Sequence, residues 1–311
     1  MIVDLPGTTV SKISKSLVQI REQGGAVALG RVLTLVIQTD EISSEKAIEA
    51  ANAASKEHPS RIIVLIDNPS EDSPKLDAEI RVGGDAGASE VIILRPVGAA
   101  ASYPQSLVTG LLLPDAPVVA WWPNGAPEKV SESPIGKIAT RRITDALSQA
   151  NPRAFLDKLS KNYAPGDSDF AWTRLTLWRA QFAALLDQPP HEEVVSVDVV
   201  GDLKNPSVIL LGAWFRQQLG CPVNMEHRAE TAGVKAVYLV RLVRSDSSIE
   251  ILRDQSNIAV LSQSNQPSKE LSLPVRSLRD CLAEDLRRLD PDVAFEKVIT
   301  VGLELLGKEQ K

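Results

Sequence analysis

The chain is poor in the residues that carry most chemistry near neutral pH. Its 311 residues include three histidines, two cysteines and two methionines. Cys221 and Cys281 stand sixty positions apart, which excludes a disulfide framework and a CxxC motif and points to a reduced, cytosolic setting. None of His58, His191 and His227 stands in an HExxH motif, so no metal site is signalled. A GxSxG elbow is absent too, and with it the mark of an α/β-hydrolase nucleophile. There is no basic excess: 34 Lys and Arg stand against 40 Asp and Glu, for a net charge of −6. A binder of nucleic-acid backbones would usually carry a basic face. Apolar runs stay short of the roughly 18 residues of a membrane-spanning helix. The start, MIVDLPGTT, has neither the basic beginning nor the apolar core of a secretory signal. The expectation is a cytoplasmic protein with no membrane, nucleic-acid, metal or cofactor chemistry.

What remains is ordinary globular material, 43% hydrophobic and 24% charged. At roughly 100–200 residues per domain, the length predicts two domains. Residues 8–22 have helical spacing at Ile13, Leu17 and Ile20. Runs at 26–37, 61–66, 76–82, 90–94 and 117–122 read as strands, with helices at 44–56 and 105–113. The run RIIVLI at 61–66 is almost wholly apolar, as in a strand covered on both faces. Strands alternating with helices predict a layered α/β domain over 1–134 with a mainly parallel sheet. A helical connector follows over 135–190, broken at Asn151–Pro152, and a third segment occupies 191–311. There, a strand at 194–200 precedes a helix with Asn205 as its cap, Pro206 in first position and Gly220 as its stop. Runs at 223–230, 234–244, 249–253, 257–262 and 269–273, joined by short turns, predict an antiparallel meander. Two closing helices start near Ser277 and at Asp290–Pro291. The carboxylate pairs Glu192–Glu193 and Glu284–Asp285 are expected in solvated settings.

Two glycine patterns invite a phosphate-binding reading. Gly25 to Val32 has the spacing of a phosphate loop, but Arg31 replaces the lysine and Val32 the hydroxyl residue. A buried strand is the plainer expectation there. The second pattern, Gly83, Gly84 and Gly87, follows a strand and suits an anion-binding nest. With Arg81 it forms one candidate anion site, and His58 with Arg61 another. The first strand-to-helix junction, Gln38–Ser44, has no glycine, which argues against a dinucleotide in the usual position.

Aromatic residues are scarce at 4% but concentrated. Trp121 and Trp122 end the strand PVVAWW, where adjacent side chains face opposite sides. In FAWTRLTLWRAQFAALL, read as one helix over 169–186, the apolar residues cover roughly 220° of arc, against somewhat more than 100° for a surface helix. Arg174 falls inside that arc and Arg179 at its far edge, the less committed position. Two readings follow, an interdomain core and a partner surface, and both can hold. Candidate partner-binding residues are therefore Trp121, Trp122, Trp172, Arg174, Trp178 and Arg179.

Several phrases together carry a resemblance: MIVDLP, ALGRVLTLVI, EAANAASKEHPSRIIVLI, RVGGDAGASEVIILR, LLLPDAPVVAWWP, RRITDA and DFAWTRLTLWRAQFAALLDQPP. The chain resembles the actinobacterial OpcA family, the glucose-6-phosphate dehydrogenase assembly proteins. The resemblance implies a non-enzymatic cytosolic protein that associates with that dehydrogenase, promotes its active oligomer and supports NADPH supply through the pentose phosphate pathway. It brings no catalytic residues. Cyanobacterial relatives are associated with thiol-based control. A second expectation, from the residues themselves, is a regulatory protein that senses a sugar phosphate or nucleotide in its α/β domain.

Overall fold

Strands and helices alternate through the first half of the computed structural model, which describes residues 1–23, 30–67, 73–83, 90–189, 191–231, 236–255 and 257–309. The first half forms β1 (Ile2–Leu5), α1 (Val10–Gln23), β2 (Leu33–Thr39), α2 (Glu41–Ala54), β3 (Ser60–Ile66), β4 (Lys75–Val82), β5 (Glu90–Val97), α3 (Pro104–Thr109), β6 (Val118–Trp122) and β7 (Arg141–Thr144). Next come α4 (Pro152–Asn162), β8 (Asp167–Asp169), α5 (Phe170–Thr173), α6 (Thr176–Leu186), β9 (Ser196–Gly201) and α7 (Pro206–Leu219). The chain continues through β10 (Val223–His227), β11 (Val237–Val243), β12 (Ser248–Leu252), β13 (Ile258–Gln263) and β14 (Lys269–Ser272). It ends in α8 (Leu278–Arg287), α9 (Val293–Lys297) and α10 (Leu303–Glu309), the last two joined by a π-helical turn at Val298–Gly302.

These elements divide between two units. One holds residues 1–149, 166–168 and 278–291, the other 150–165, 169–277 and 292–311. The segment expected as a connector, 135–190, is shared between them: 135–149 lies in the first unit, 150–165 and 169–190 in the second.

In the first unit the sheet runs β1-β4-β5-β3-β2-β6-β7-β8. The pairs β5–β3, β3–β2, β2–β6 and β6–β7 are parallel, whereas β1 and β4 are antiparallel additions at one edge. This is the α/β class expected. Every residue of β3 is buried, as a strand covered on both faces requires, and each such Ile, Val or Leu contributes about 1.5–3 kcal/mol. Helix α8 arrives from far along the chain to pack on α2, with Cys281 and Leu282 fully buried.

Three expectations need correction here. The strand expected over 26–37 begins only at Leu33: residues 26–29 lie outside the described ones, and Val32 is exposed. Residues 141–144, expected as helix, form β7, because pairing with β6 outweighs local preference. Asp285, expected in a solvated setting, is buried, where it accepts from Arg141 at 2.5 Å and from the Ser168 hydroxyl at 2.7 Å.

The second unit has a six-stranded sheet, β10-β9-β11-β12-β13-β14. From β11 through β14 it is the antiparallel meander expected; the run expected to open that meander, 223–230, instead forms β10, parallel to β9, and β9 stands between it and β11. Asn205 caps α7 through its side chain onto the Ser207 N–H, Pro206 follows, and Gly220 closes the helix at φ +70°, a conformation glycine adopts without strain. Helix α7 then packs against β9, β10 and the C-terminal helix.

Candidate functional site

In the parallel part of the first sheet the order β5-β3-β2-β6-β7 places successive connections on both sides of β2. Strand order reverses between β2 and β6, and in doubly wound sheets ligands bind outside the carboxyl ends of the strands at this point. The residues there are Gln38 and Thr39 ending β2, Asp40 before α2, and Trp122 and Asn124 at the end of β6. Asp40 caps α2, accepting the Ser43 N–H at 2.7 Å. The Asn124 amide donates to Asp40 and, at 3.1 Å, to the Ser43 hydroxyl, while its carbonyl accepts from Thr39 at 2.8 Å. Trp122 donates its indole N–H to Gln38 at 3.0 Å, and Gln38 donates to Asp67 at 2.9 Å.

Chemically, this network does for the helix N-terminus what a bound phosphate would do. The Asp40 carboxylate takes the orphan N–H groups and complements the positive end of the helix dipole. Burial alone would raise its pKa, but hydrogen bonds from Ser43, Asn124 and Ile42 outweigh that and hold it below the ordinary aspartate value. Burial raises the nearby Asp67, a Gln38 hydrogen bond opposes this, and the Asp40 charge adds to the rise. Two carboxylates thus stand after β2 and β3, next to the reversal in strand order. The junction from Thr39 to Glu41 also lacks the glycines that would let a phosphate approach the backbone.

The two candidate anion sites lie on opposite faces of the sheet. Arg81 pairs across the sheet with Val91, whereas Arg61 pairs with Glu90. Neighbouring residues of a strand face opposite sides, so the two arginines lie on opposite faces. Arg81 is held by Glu45 at 2.6 and 2.9 Å and by Glu79 at 2.6 Å. The Glu45 hydrogen bond pushes its guanidinium above the ordinary value. Arg61 is buried, donating to Glu90 at 2.8 Å and to the Leu111 carbonyl at 2.6 Å. His58 is half-buried just after α2, its backbone N–H bonded to Ala54. Gly83 follows β4 at φ +76°, and Gly84 and Gly87 lie outside the described residues.

The aromatic segment departs from its expected form. Instead of one helix, α5 and α6 are separated at Arg174–Leu175, so the arc counted on a continuous helix does not describe it. Trp121, Trp122, Trp172 and Trp178 are all buried. The indole N–H of Trp172 donates to Asp292 at 2.8 Å, and its ring packs at 5.9 Å from Phe295. The Arg179 guanidinium stacks 3.6 Å over the Trp172 ring and donates to the Thr176 hydroxyl at 3.1 Å. Trp178 stacks on Phe182, with Arg253 at 5.3 Å from its ring. Burial pulls Arg253 down to about 10, against the charge of Glu230. Arg174 lies 6.0 Å from the Phe170 ring centroid. Arg179 is therefore more tightly held than its edge position in the sequence suggests. Only Arg174 and Arg179 of the six partner candidates keep partial exposure.

Sequence reasoning passed over Asp40, Asn124, Gln38 and Asp67. Asp40 carried a signal, an aspartate just before a helical run, but the other three meet it only through sheet order. Among the described residues, no group of three or more His, Cys, Asp or Glu side chains could hold a metal ion, and no helix is long and apolar enough to cross a membrane.

The fold defines the class: an α/β protein whose mainly parallel first sheet carries, where its strand order reverses, side chains that bond to one another. An oxidoreductase from Sinorhizobium meliloti is similar at a TM-score of 0.51 and 12% identity, over 88% of this chain and 95% of that one. Myo-inositol dehydrogenase from Lactobacillus casei gives 0.48 at 9% identity, over 90% and 94%. Levoglucosan dehydrogenase also gives 0.48, at 8% identity over 89% and 96%. No curated protein matches the chain significantly. Two family models do match it: the glucose-6-phosphate dehydrogenase subunit N-terminal domain over residues 51–161, and the corresponding C-terminal domain over 165–299. The chain belongs to the OpcA family of glucose-6-phosphate dehydrogenase assembly proteins.

Proposed function

We propose that this chain is a non-catalytic partner that binds glucose-6-phosphate dehydrogenase in the cytoplasm and promotes its active oligomer, acting as an allosteric activator. In that role it supports the oxidative pentose phosphate pathway and its NADPH supply. Family membership supplies the partner. The observation that carries the non-catalytic reading is the filled crevice, where Asp40, Asn124 and Ser43 bond to one another at the position a dinucleotide would take. Hydride transfer needs a cofactor held there, and two carboxylates repel its phosphates. Partner contact falls to exposed surface: Arg174 and Arg179 can reach a carboxylate on the dehydrogenase, while the four tryptophans hold their own elements from within.

Size-exclusion chromatography with light scattering on the chain mixed with its dehydrogenase tests this. Co-migration, with a rise in dehydrogenase activity, is the expected result. Independent elution with no change in activity, or glucose 6-phosphate oxidation by the chain alone, would overturn it.

A further inference from the structure

At the other end of the same sheet, where β3 and β5 begin, the charges are out of balance. Glu90 heads β5 with its side chain 1% exposed. Arg21, from the last turn of α1, donates to it at 2.9, 3.0 and 3.1 Å, and Arg61 donates at 2.8 Å. Arg31, just ahead of β2, stands 3.6 Å from the same carboxylate. Among the described residues, the charged groups that act on Arg31 are Glu90, Arg21 and Arg61, and those that act on Glu90 are these three arginines. Among the described residues, three guanidiniums therefore share one carboxylate, leaving two positive charges over in a chain whose net charge is −6.

Arg21 and Arg31 keep part of their side chains exposed. Arg61 spends its own on Glu90 and the Leu111 carbonyl. Among the described residues Arg31 makes no hydrogen bond, and its side chain is 20% exposed, that of Arg21 37%. Burial lowers the pKa of Arg31, and the Arg21 and Arg61 charges lower it further against the pull of Glu90. A half-buried guanidinium with idle donors, pressed by two like charges, is poorly satisfied by the protein alone.

We infer that Arg31 and Arg21, backed by Arg61, form an oxyanion site for the phosphate monoester of a small metabolite. The guanidinium fork matches two phosphate oxygens at once. A phosphate dianion also carries the charge that balances the excess, which a single carboxylate does not. Glu90 sets the spacing of the arginines and leaves the outer donors to the ligand. The site lies away from the filled crevice and does not depend on the dehydrogenase reading.

Isothermal titration of the full chain with inorganic phosphate, and separately with a hexose monophosphate, tests the inference, with chloride at matched ionic strength as control. Saturable binding of phosphate but not chloride is expected, weakened at least about tenfold in Arg31→Gln by loss of a charge-assisted fork. Tighter binding of the hexose ester than of inorganic phosphate would identify the ester as the ligand; equal binding would identify free phosphate. Arg21→Gln, at a more exposed position, should weaken binding too and gives a second variant should Arg31→Gln melt early. No saturable binding by the wild type, or wild-type affinity in both variants, would overturn the site.

Discussion

Replacing Glu90 by glutamine should destabilise the first unit. The variant keeps the shape of the side chain and removes its charge, leaving Arg21, Arg31 and Arg61 facing one another. Removing one partner of a buried ion pair costs about 3–5 kcal/mol. Arg21, 37% exposed, recovers part of its hydration, whereas Arg61, at 8%, does not. That favours the lower end, about 3 kcal/mol. At about 2–4 °C per kcal/mol for a unit of 150–250 residues, the melting temperature should fall by about 6–12 °C. Circular dichroism melts at pH 7 in a phosphate-free buffer measure this. The pH profile adds a sign. Burial would raise Glu90, but the Arg21 hydrogen bonds and the three arginine charges hold it below its ordinary value of 4.5. Its stabilisation is thus complete above pH 4.5 and is lost as the pH falls through the lower folded value. The gap between wild type and variant should close in acid. A drop of less than about 2 °C at pH 7, or a gap that widens in acid, would refute the assignment of Glu90 as the counter-charge.

Three further outcomes follow from packing and capping. Arg179→Glu should lower the melting temperature by at least about 1 kcal/mol equivalent, since it removes the stack on Trp172 and sets a carboxylate near the Trp172–Asp292 pair; an unchanged melt would mean the stack contributes nothing. Asp40→Ala removes the cap of α2 and should cost about 0.5–2 kcal/mol in denaturant titration. Asp40 is held below its ordinary 3.8, so this difference should persist at neutral pH and vanish as the pH drops below 3.8. Gly302→Ala would gain up to about 1 kcal/mol in helix propensity. Its Cβ, however, would stand 2.7 Å from the Ala213 carbonyl oxygen, and backbone cannot yield as a side chain does, so a net loss of about 1–3 kcal/mol is expected. A stabilised variant in thermal melts would contradict that packing.

How much was legible depended on how local the cause was. The run at 61–66 announced a doubly covered strand because each of its residues is apolar, and β3 is buried throughout. Asn205, Pro206 and Gly220 marked both ends of α7 because capping is settled within one turn. The meander showed itself through short turns between alternating runs. By contrast, β7 has two arginines in four residues and no apolar run to betray it; its partner β6 and the pairing of Arg142 with Asp167 and Arg141 with Asp285 make it a strand. The break at Arg174–Leu175 likewise left no glycine or proline in the sequence.

For the sites, the division is sharper still. Sequence alone determined which motifs are missing: no glycine stands between Thr39 and Ser44, and the three histidines and two distant cysteines form no HExxH or CxxC motif. Tertiary structure decided what stands there instead. Strand order brought Asn124 to Asp40, eighty-four positions away, and cross-strand register put Arg61 beside Glu90 and left Arg81 on the opposite face. The reason is physical. A cap, a turn or an apolar period is a property of neighbouring residues, whereas a salt bridge or a filled crevice is a property of distances, and distances between remote residues exist only once the chain has folded.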